Sequence, residues 1–384
     1  MQTIIVQSIT IKRKELNLSE KHKKLLPLLN SYVSIEFKGI TIAYINAFRR
    51  TSIDEVQGYA LQVPVDMDWS ETTDEFMLPQ FVTQRISLIS LKPNLGTDYG
   101  SIRFNLDVKN DTYEIMNVYS KDLKLIAGNL SEVIFNPMYI ICVLQPGKRI
   151  VINDIYITTG FGKDNTAFQR VRCGAYKFLD IKQYSYEETH LSPDKNLDLE
   201  NLITSTHTNI NKNKELHGSK VNNSGYVESC MVANPKHHLY SCIIPSTNSD
   251  SAEIISVFVD VCNNIKDRIR YILSYIESII NVDIPNNDIE YNIFQLSDGV
   301  YEGNLIVRNE TYTIGELIKD TIYSLIPDII NIKYVILYHD NSLKITIHYK
   351  EHITNILIKS LKYCISVFDL IQKQIQNIKP IYIN

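Results

Sequence analysis

The chain has 384 residues, 44% hydrophobic, 10% aromatic and 21% charged, which is enough apolar material for one or two sizeable cores in two or three domains. Its formal net charge is -4. A protein that grips nucleic acid over a broad face is usually basic, so this balance favours protein partners while leaving room for a local basic patch.

The start, MQTIIVQSITIKRKEL, lacks the basic-then-apolar order of a signal peptide. No apolar run approaches the roughly 20 residues a membrane span needs, so a soluble intracellular chain is expected. Residues 11–24 are charged and irregular and read as a solvated leader. VSIEF (33–37) then alternates as a strand. Gly39 breaks it, and Thr41 can cap a helix over TIAYINAFRR whose apolar face is Ile42, Ile45 and Phe48. Tyr59, Leu61 and Val63 alternate as a second strand, stopped by Pro64.

Residues 65–167 are dominated by short strand-like runs at 101–108, 112–120, 139–145 and 149–157. Turn signals such as Pro146-Gly147 and Gly160/Gly162 separate them, which predicts a mostly β insert. Residues 170–186 return to strand. The stretch from 190 to 240, rich in Asn, Lys, Ser and Thr over most of its length, reads as a surface excursion. A long amphipathic helix is predicted over 252–280, with the stripe Ile254, Phe258, Val261, Ile265, Ile269, Ile272, Ile276 and Ile279. Its steps alternate threes and fours, which only a helical face explains.

After Pro285 a smaller unit begins, with strands in DIEYNIFQL and GNLIVRNE. Thr313 and Glu316 have capping-box spacing at the head of a helix burying Ile314, Leu317, Ile318, Ile322 and Leu325, and Pro327 stops it. A strand pair surrounds Asp340-Asn341. The last helix carries Ile353, Leu357, Leu361, Cys364, Phe368, Ile371, Ile375 and Ile378. Both ends of the chain thus share one plan: strand, short helix, strands, long helix. A long helix cannot keep such a stripe in water, so the two long helices are expected to bury their stripes against each other as well as on their own sheets.

Chemistry-bearing patterns are sparse. There is no closely spaced aspartate run for a polymerase magnesium site, no G-x-S-x-G and no H-E-x-x-H. Six cysteines are scattered without a C-x-x-C, as free thiols in a reducing compartment are. Cys230, His237, His238 and Cys242 are the one soft-ligand cluster, but C-x6-H-H-x3-C fits no common zinc module, and a plain exposed loop is the expectation. Arg49 and Arg50, taken by themselves, read as a solvated helix end. Gly160-Phe161-Gly162-Lys163 lacks the spacing of a nucleotide loop. Taken alone, the residues describe a two-part α+β interaction protein. A nucleic-acid-binding transcription protein and an unrelated enzyme remain as competing readings.

The segment TIAYINAFRRTSIDEVQGYAL (41–61) resembles the signature of the RNA polymerase alpha-like family, which includes the bacterial alpha subunit and the third-largest subunit of eukaryotic and archaeal enzymes. Asn46, Ala47, Arg49 and Arg50 match its N-A-x-R-R core. EFMLPQFVTQRISLISL (75–91) and LQPGKRIVINDIYITTGFGKDNTAF (144–168) are similar to two further family segments in the same order. ETYTIGELIKDTIYSLIPDI and Tyr338-His339 resemble the smaller, eleventh-subunit partner. The fused arrangement resembles that of large cytoplasmic DNA viruses of the African swine fever virus type.

The resemblance implies an α+β fold in which two alpha-like dimerisation domains pair through helices within one chain. The first would be discontinuous (1–64 and 168–284, with the 190–240 excursion), the insert 65–167, and the second 285–384. It implies a non-catalytic assembly platform in which fusion replaces subunit search by an effective concentration on the order of millimolar. Arg49, Arg50, Gly160, Gly162 and Lys163 would dock the second-largest subunit. Ile42, Ile45, Asn46, Phe48, Ile314, Leu317, Ile318 and Ile322 would form the internal joint. Ile265, Ile269, Ile272, Ile276, Leu361, Phe368 and Ile371 would pair the long helices. Expected partners are the second-largest and largest subunits and a small tenth-subunit-type protein, with neither direct DNA contact nor membrane. No cofactor is expected here, since magnesium would sit in the largest subunit, and no zinc, because residues 65–167 contain Cys142 alone. The expected location is host cytoplasm, at viral factories, with packaging in the virion.

Overall fold

The computed structural model describes residues 5–13, 30–73, 78–92, 99–130, 134–179, 182–185, 229–232, 236–245, 251–281, 288–296 and 299–383. The chain opens with β1 (Ile5–Arg13), β2 (Asn30–Lys38), α1 (Ile42–Asp54) and β3 (Gln57–Gln62). A β-rich stretch follows: α2 (Pro79–Ser87), β4 (Arg103–Lys109), β5 (Met116–Tyr119), β6 (Leu123–Ala127), β7 (Ile140–Leu144) and β8 (Arg149–Phe161). Then come β9 (Arg172–Phe178), β10 (Lys182–Ser185), β11 (Ser229–Val232), β12 (His237–Pro245) and the long α3 (Ser251–Asn281). The last part is β13 (Ile289–Gln295), β14 (Tyr301–Arg308), α4 (Tyr312–Leu325), β15 (Asn331–Leu337), β16 (Ser342–Tyr349), α5 (Ile353–Asn377) and β17 (Ile381–Ile383). The fold is mixed helix and strand, as the sequence predicts.

The alternation in VSIEF buries Val33, Ile35 and Phe37 on one face of β2. That strand is central in a five-stranded sheet ordered β17-β1-β2-β12-β9. Positive φ at Gly39 (87°) turns the chain out of β2, and Thr41, extended, starts α1. The helix lays Ile45 and Phe48 onto the sheet, where the Phe48 ring stands 5.6 Å from Phe37, 5.5 Å from Tyr240 and 5.7 Å from Phe258. Truncating such a ring costs about 3–5 kcal/mol. Ile42 is only half-buried, and the buried face is made by Ala43, Tyr44, Ile45, Ala47, Phe48, Thr51 and Ser52.

Four other expectations are corrected. Residues 11–13, read as leader, belong to β1, which pairs with β2 and, in parallel, with β17. The end of the 190–240 excursion is strand instead: residues 237–240 lie in β12, hydrogen-bonded between β2 and β9, while 186–228 lie outside the described residues. Thr313 does not cap its helix. The N-cap is Thr311, without a side-chain cap bond, and Thr313 is buried inside the first turn. β3, read with the first part, pairs with β8 in the sheet β3-β8-β4-β6. There Leu61 and Val63 join a core with Ile86, Phe104, Ile152 and Ile157. That stretch also contains α2, which starts with Pro79 at its first position, where the missing amide costs nothing.

β5 pairs with β7 and β10 with β11 as two-stranded sheets, and the third large sheet, β13-β14-β16-β15, is wholly antiparallel and carries α4 and α5 on its apolar face. One continuous hydrophobic core runs from β1 and β2 through α1 and α3 to α4, α5 and this sheet. In α3, Ile254, Phe258, Val261, Ile265, Ile269, Ile272 and Ile276 are all fully buried, while the Ile279 side chain lies outside the described ones. Leu357, Leu361, Cys364, Phe368, Ile371 and Ile375 are buried on α5, and Ile378 is half-buried. The two long helices pack on one another. Lys266 pairs with Asp369 at 2.8 Å and Glu277 with Lys362 at 2.7 Å, so they run antiparallel.

Candidate functional site: a helix joint and the turn beside it

α1 and α4 meet where the first and last parts of the chain touch. Ile314, Leu317, Ile318 and Ile322 are completely buried on α4, while the buried Ile45 and Phe48 of α1 face its own sheet, Phe48 packing on Phe37 and Tyr240. Asn46 is half-buried and accepts from Arg49 Nε and Nη2 at 3.2 and 2.9 Å. The polar part of the joint brings in Tyr44, Thr321 and Asp320, which sequence reading passed over. The Tyr44 and Thr321 hydroxyls are 2.8 Å apart, and Cys364 Sγ lies 3.6 Å from the first and 3.1 Å from the second. The Tyr44 ring packs on Phe368 at 5.6 Å. Burial pushes the Tyr44 hydroxyl well above its usual range and the Cys364 thiol up to about 11, so both stay neutral. Thr41, instead of capping α1, donates to Asp320 on α4. Burial raises the Asp320 carboxyl, against the opposing pull of the Thr41 hydroxyl.

The end of α1 carries the second group. Arg49 is braced by Asn46, and the Arg50 guanidinium makes no hydrogen bond or ion pair with described residues. The turn that closes β8 rests on the last turn of α1. Lys163 donates its amide to the Asp54 carbonyl at 3.0 Å, and its ammonium lies 3.6 Å from Glu55 Oε2 and 5.5 Å from the Phe161 ring centroid. Gly162 is required by close approach. A Cβ there would sit 2.1 Å from the Ile53 carbonyl oxygen. Gly162 and Lys163 thus rest on the last turn of the helix that also carries Arg49 and Arg50, while Gly160 lies in β8 opposite Gly58 of β3.

The described members of the soft-ligand cluster do not gather. His237 Nε2 is 2.6 Å from Glu36 Oε1, and the His238 ring packs against Phe178 at 5.1 Å. Cys242 lies in the core, where burial pushes its thiol up to about 12. His237 and Cys242 occupy odd and even positions of β12 and so opposite faces, and the Cys230 side chain lies outside the described ones. Among the described residues no three His, Cys, Asp or Glu side chains could hold a metal ion, and no helix is long and apolar enough to cross a membrane.

No family model matches the chain. The DNA-directed RNA polymerase RPB3-11 homolog of African swine fever virus, Kenya pig isolate, is 30% identical over 357 residues, covering 91% of this chain and 89% of that protein. The chain belongs to this RPB3-11 family of DNA-directed RNA polymerase subunits. The Badajoz strain's RPB3-11 homolog is 29% identical over 360 residues, 92% of this chain and 90% of its own length. DNA-directed RNA polymerase subunit Rpo3 of Pyrococcus horikoshii is 30% identical over 156 residues, 38% of this chain and 55% of that subunit. The subunit is thus alpha-like and part of a multisubunit RNA polymerase, and the two RPB3-11 relatives it matches here are viral.

Proposed function

We propose that this polymerase subunit is a non-catalytic assembly platform: an alpha-like heterodimer folded within one chain. Its first half is built on the β2-centred sheet with α1 and α3, its second on the β13–β16 sheet with α4 and α5, and the β3–β8 stretch is an insert in the first. The observation that carries this reading is the single hydrophobic core joining α1 and α3 to α4 and α5, because it leaves neither long helix with an apolar stripe to bury elsewhere.

In this reading Arg49, Arg50 and the Gly160–Lys163 turn dock the second-largest subunit, and the largest subunit follows with its own magnesium. A small tenth-subunit-type protein is a further partner. The chain holds no cofactor and no zinc, contacts no DNA directly, and works in host cytoplasm at viral factories and in virions. Guanidinium forks suit partner carboxylates and carbonyls, which supports the docking assignment.

The test is co-purification of the tagged chain from its native source at moderate salt. Recovery of the two largest polymerase subunits at equal stoichiometry is expected, and its loss with Arg49→Glu plus Arg50→Glu. A folded chain recovered alone from a source that makes those subunits overturns the proposal.

A further inference from the structure

Three parts of the chain that are distant in sequence meet at one arginine. Arg268, on the α3 face next to α1, is largely shielded from solvent, with its side chain 17% exposed. Its Nε donates to Glu310 Oε1 at 3.0 Å and its Nη2 to Glu310 Oε2, just before α4. Its remaining nitrogen, Nη1, lies 3.8 Å from Glu55 Oε1 at the end of α1, an ion contact beyond hydrogen-bond reach. The other oxygen of Glu55 faces Lys163 in the turn after β8, at 3.6 Å. Asn264, one turn back on α3, holds the Glu55 carbonyl at 3.0 Å.

The two oxygens of Glu55 thus serve two cations, and they are divided because Glu310 occupies the fork of Arg268. A guanidinium fork prefers two parallel bonds to one carboxylate. Without Glu310, the nearest carboxylate for that fork is Glu55, and a bidentate grip there draws both oxygens away from Lys163. Glu310 belongs to the second half of the chain, while Lys163 belongs to the turn assigned above to docking.

We infer that Glu55, Arg268 and Glu310 couple pairing of the two halves to the conformation of the Gly160–Lys163 turn, so that the docking face is completed only when the second half is seated. The significance of this coupling for assembly rests on the docking reading. The coupling itself is read in the isolated full chain, so the failure of one is distinguishable from the failure of the other. Arg268 and Glu310 are positioning residues in this scheme.

The experiment is amide hydrogen exchange of Lys163, whose N–H is bound to the Asp54 carbonyl. In Glu310→Gln its exchange is expected to rise about two- to fivefold, the scale of one partly exposed ion pair, with α5 amides unchanged. Lys163→Met alone is expected to give the same rise, and the double variant Glu310→Gln/Lys163→Met no more than either. That non-additivity separates coupling from general loosening, which would move the α5 amides as well. An unchanged Lys163 amide in folded Glu310→Gln, or fully additive effects, overturns the inference. Should Glu310→Gln fail to fold, Glu310→Asp, which keeps the charge but draws the carboxylate back from the Arg268 fork, is the substitute, with the same direction of change expected and the same overturning result.

Discussion

Asp320 sits between two helices from opposite ends of the chain, bound by Thr41 and raised in pKa chiefly by burial. An acid whose folded pKa lies above its unfolded value binds its proton more tightly when folded. Its stabilising contribution is therefore present below the ordinary carboxylate range and is lost as pH rises through the folded pKa. Asp320→Asn keeps an acceptor for Thr41 and removes the charge. Urea denaturation from pH 4 to 7 is expected to show a shallower loss of stability on the alkaline side of that window than in the parent chain. Parallel pH curves would contradict the burial argument. Lys266 is a different case, since it is buried but answered by Asp369 and Gln372 across the α3–α5 contact. A buried pair of this kind fixes which faces meet more than it adds stability.

At the scale of elements, the least expected feature is β17. Three residues after α5 form a parallel strand against Thr10, Ile11 and Lys12 of β1, so the end of the chain closes an edge of the first sheet. The Val6 amide is also held by Gln374 of α5 at 2.8 Å. Removing residues 379–384 exposes the β1 edge, leaving an open row of backbone donors and acceptors. The expected outcome is faster amide exchange in β1, a fall of about 1–2 kcal/mol in stability, and a greater tendency to self-associate in sedimentation. β1 protection equal to that of the full chain would show the pairing to be incidental. The turn after β8 is an element of another kind, closed by the Asp164 and Asn165 amides on the Phe161 carbonyl at 3.0 and 3.2 Å and pinned by the close approach of Gly162 to Ile53.

For the whole molecule, the continuous core predicts what a cut should do. Co-expressed as residues 1–284 and 285–384, the two pieces still own complementary stripes and should reassociate. Their complex should dissociate on dilution, whereas the intact chain should not, because the linker supplies an effective concentration on the order of millimolar. Size-exclusion chromatography across a dilution series checks this. Pieces that fold and remain separate at high concentration would remove the basis of the platform reading.

By itself the sequence determined every helix but the short α2, most of the strands and the two long stripes, since hydrophobic period is a local property and the stripes of α3 and α5 are strictly periodic. It also carried the family, through Asn46, Ala47, Arg49 and Arg50 and the segments that follow them in order. It did not reveal β1, whose outer residues merge into a charged run, or β12, which follows a polar tract that drew His237 and His238 into a loop. Only the tertiary structure decided the contacts of the joint. Tyr44 and Thr321 are 277 residues apart, and Arg268 reaches Glu310 across 42 residues and Glu55 from an unrelated helix. Polar partners of that sort have no period of their own. They are set by the register in which two helices pack, and register is a property of the assembled core.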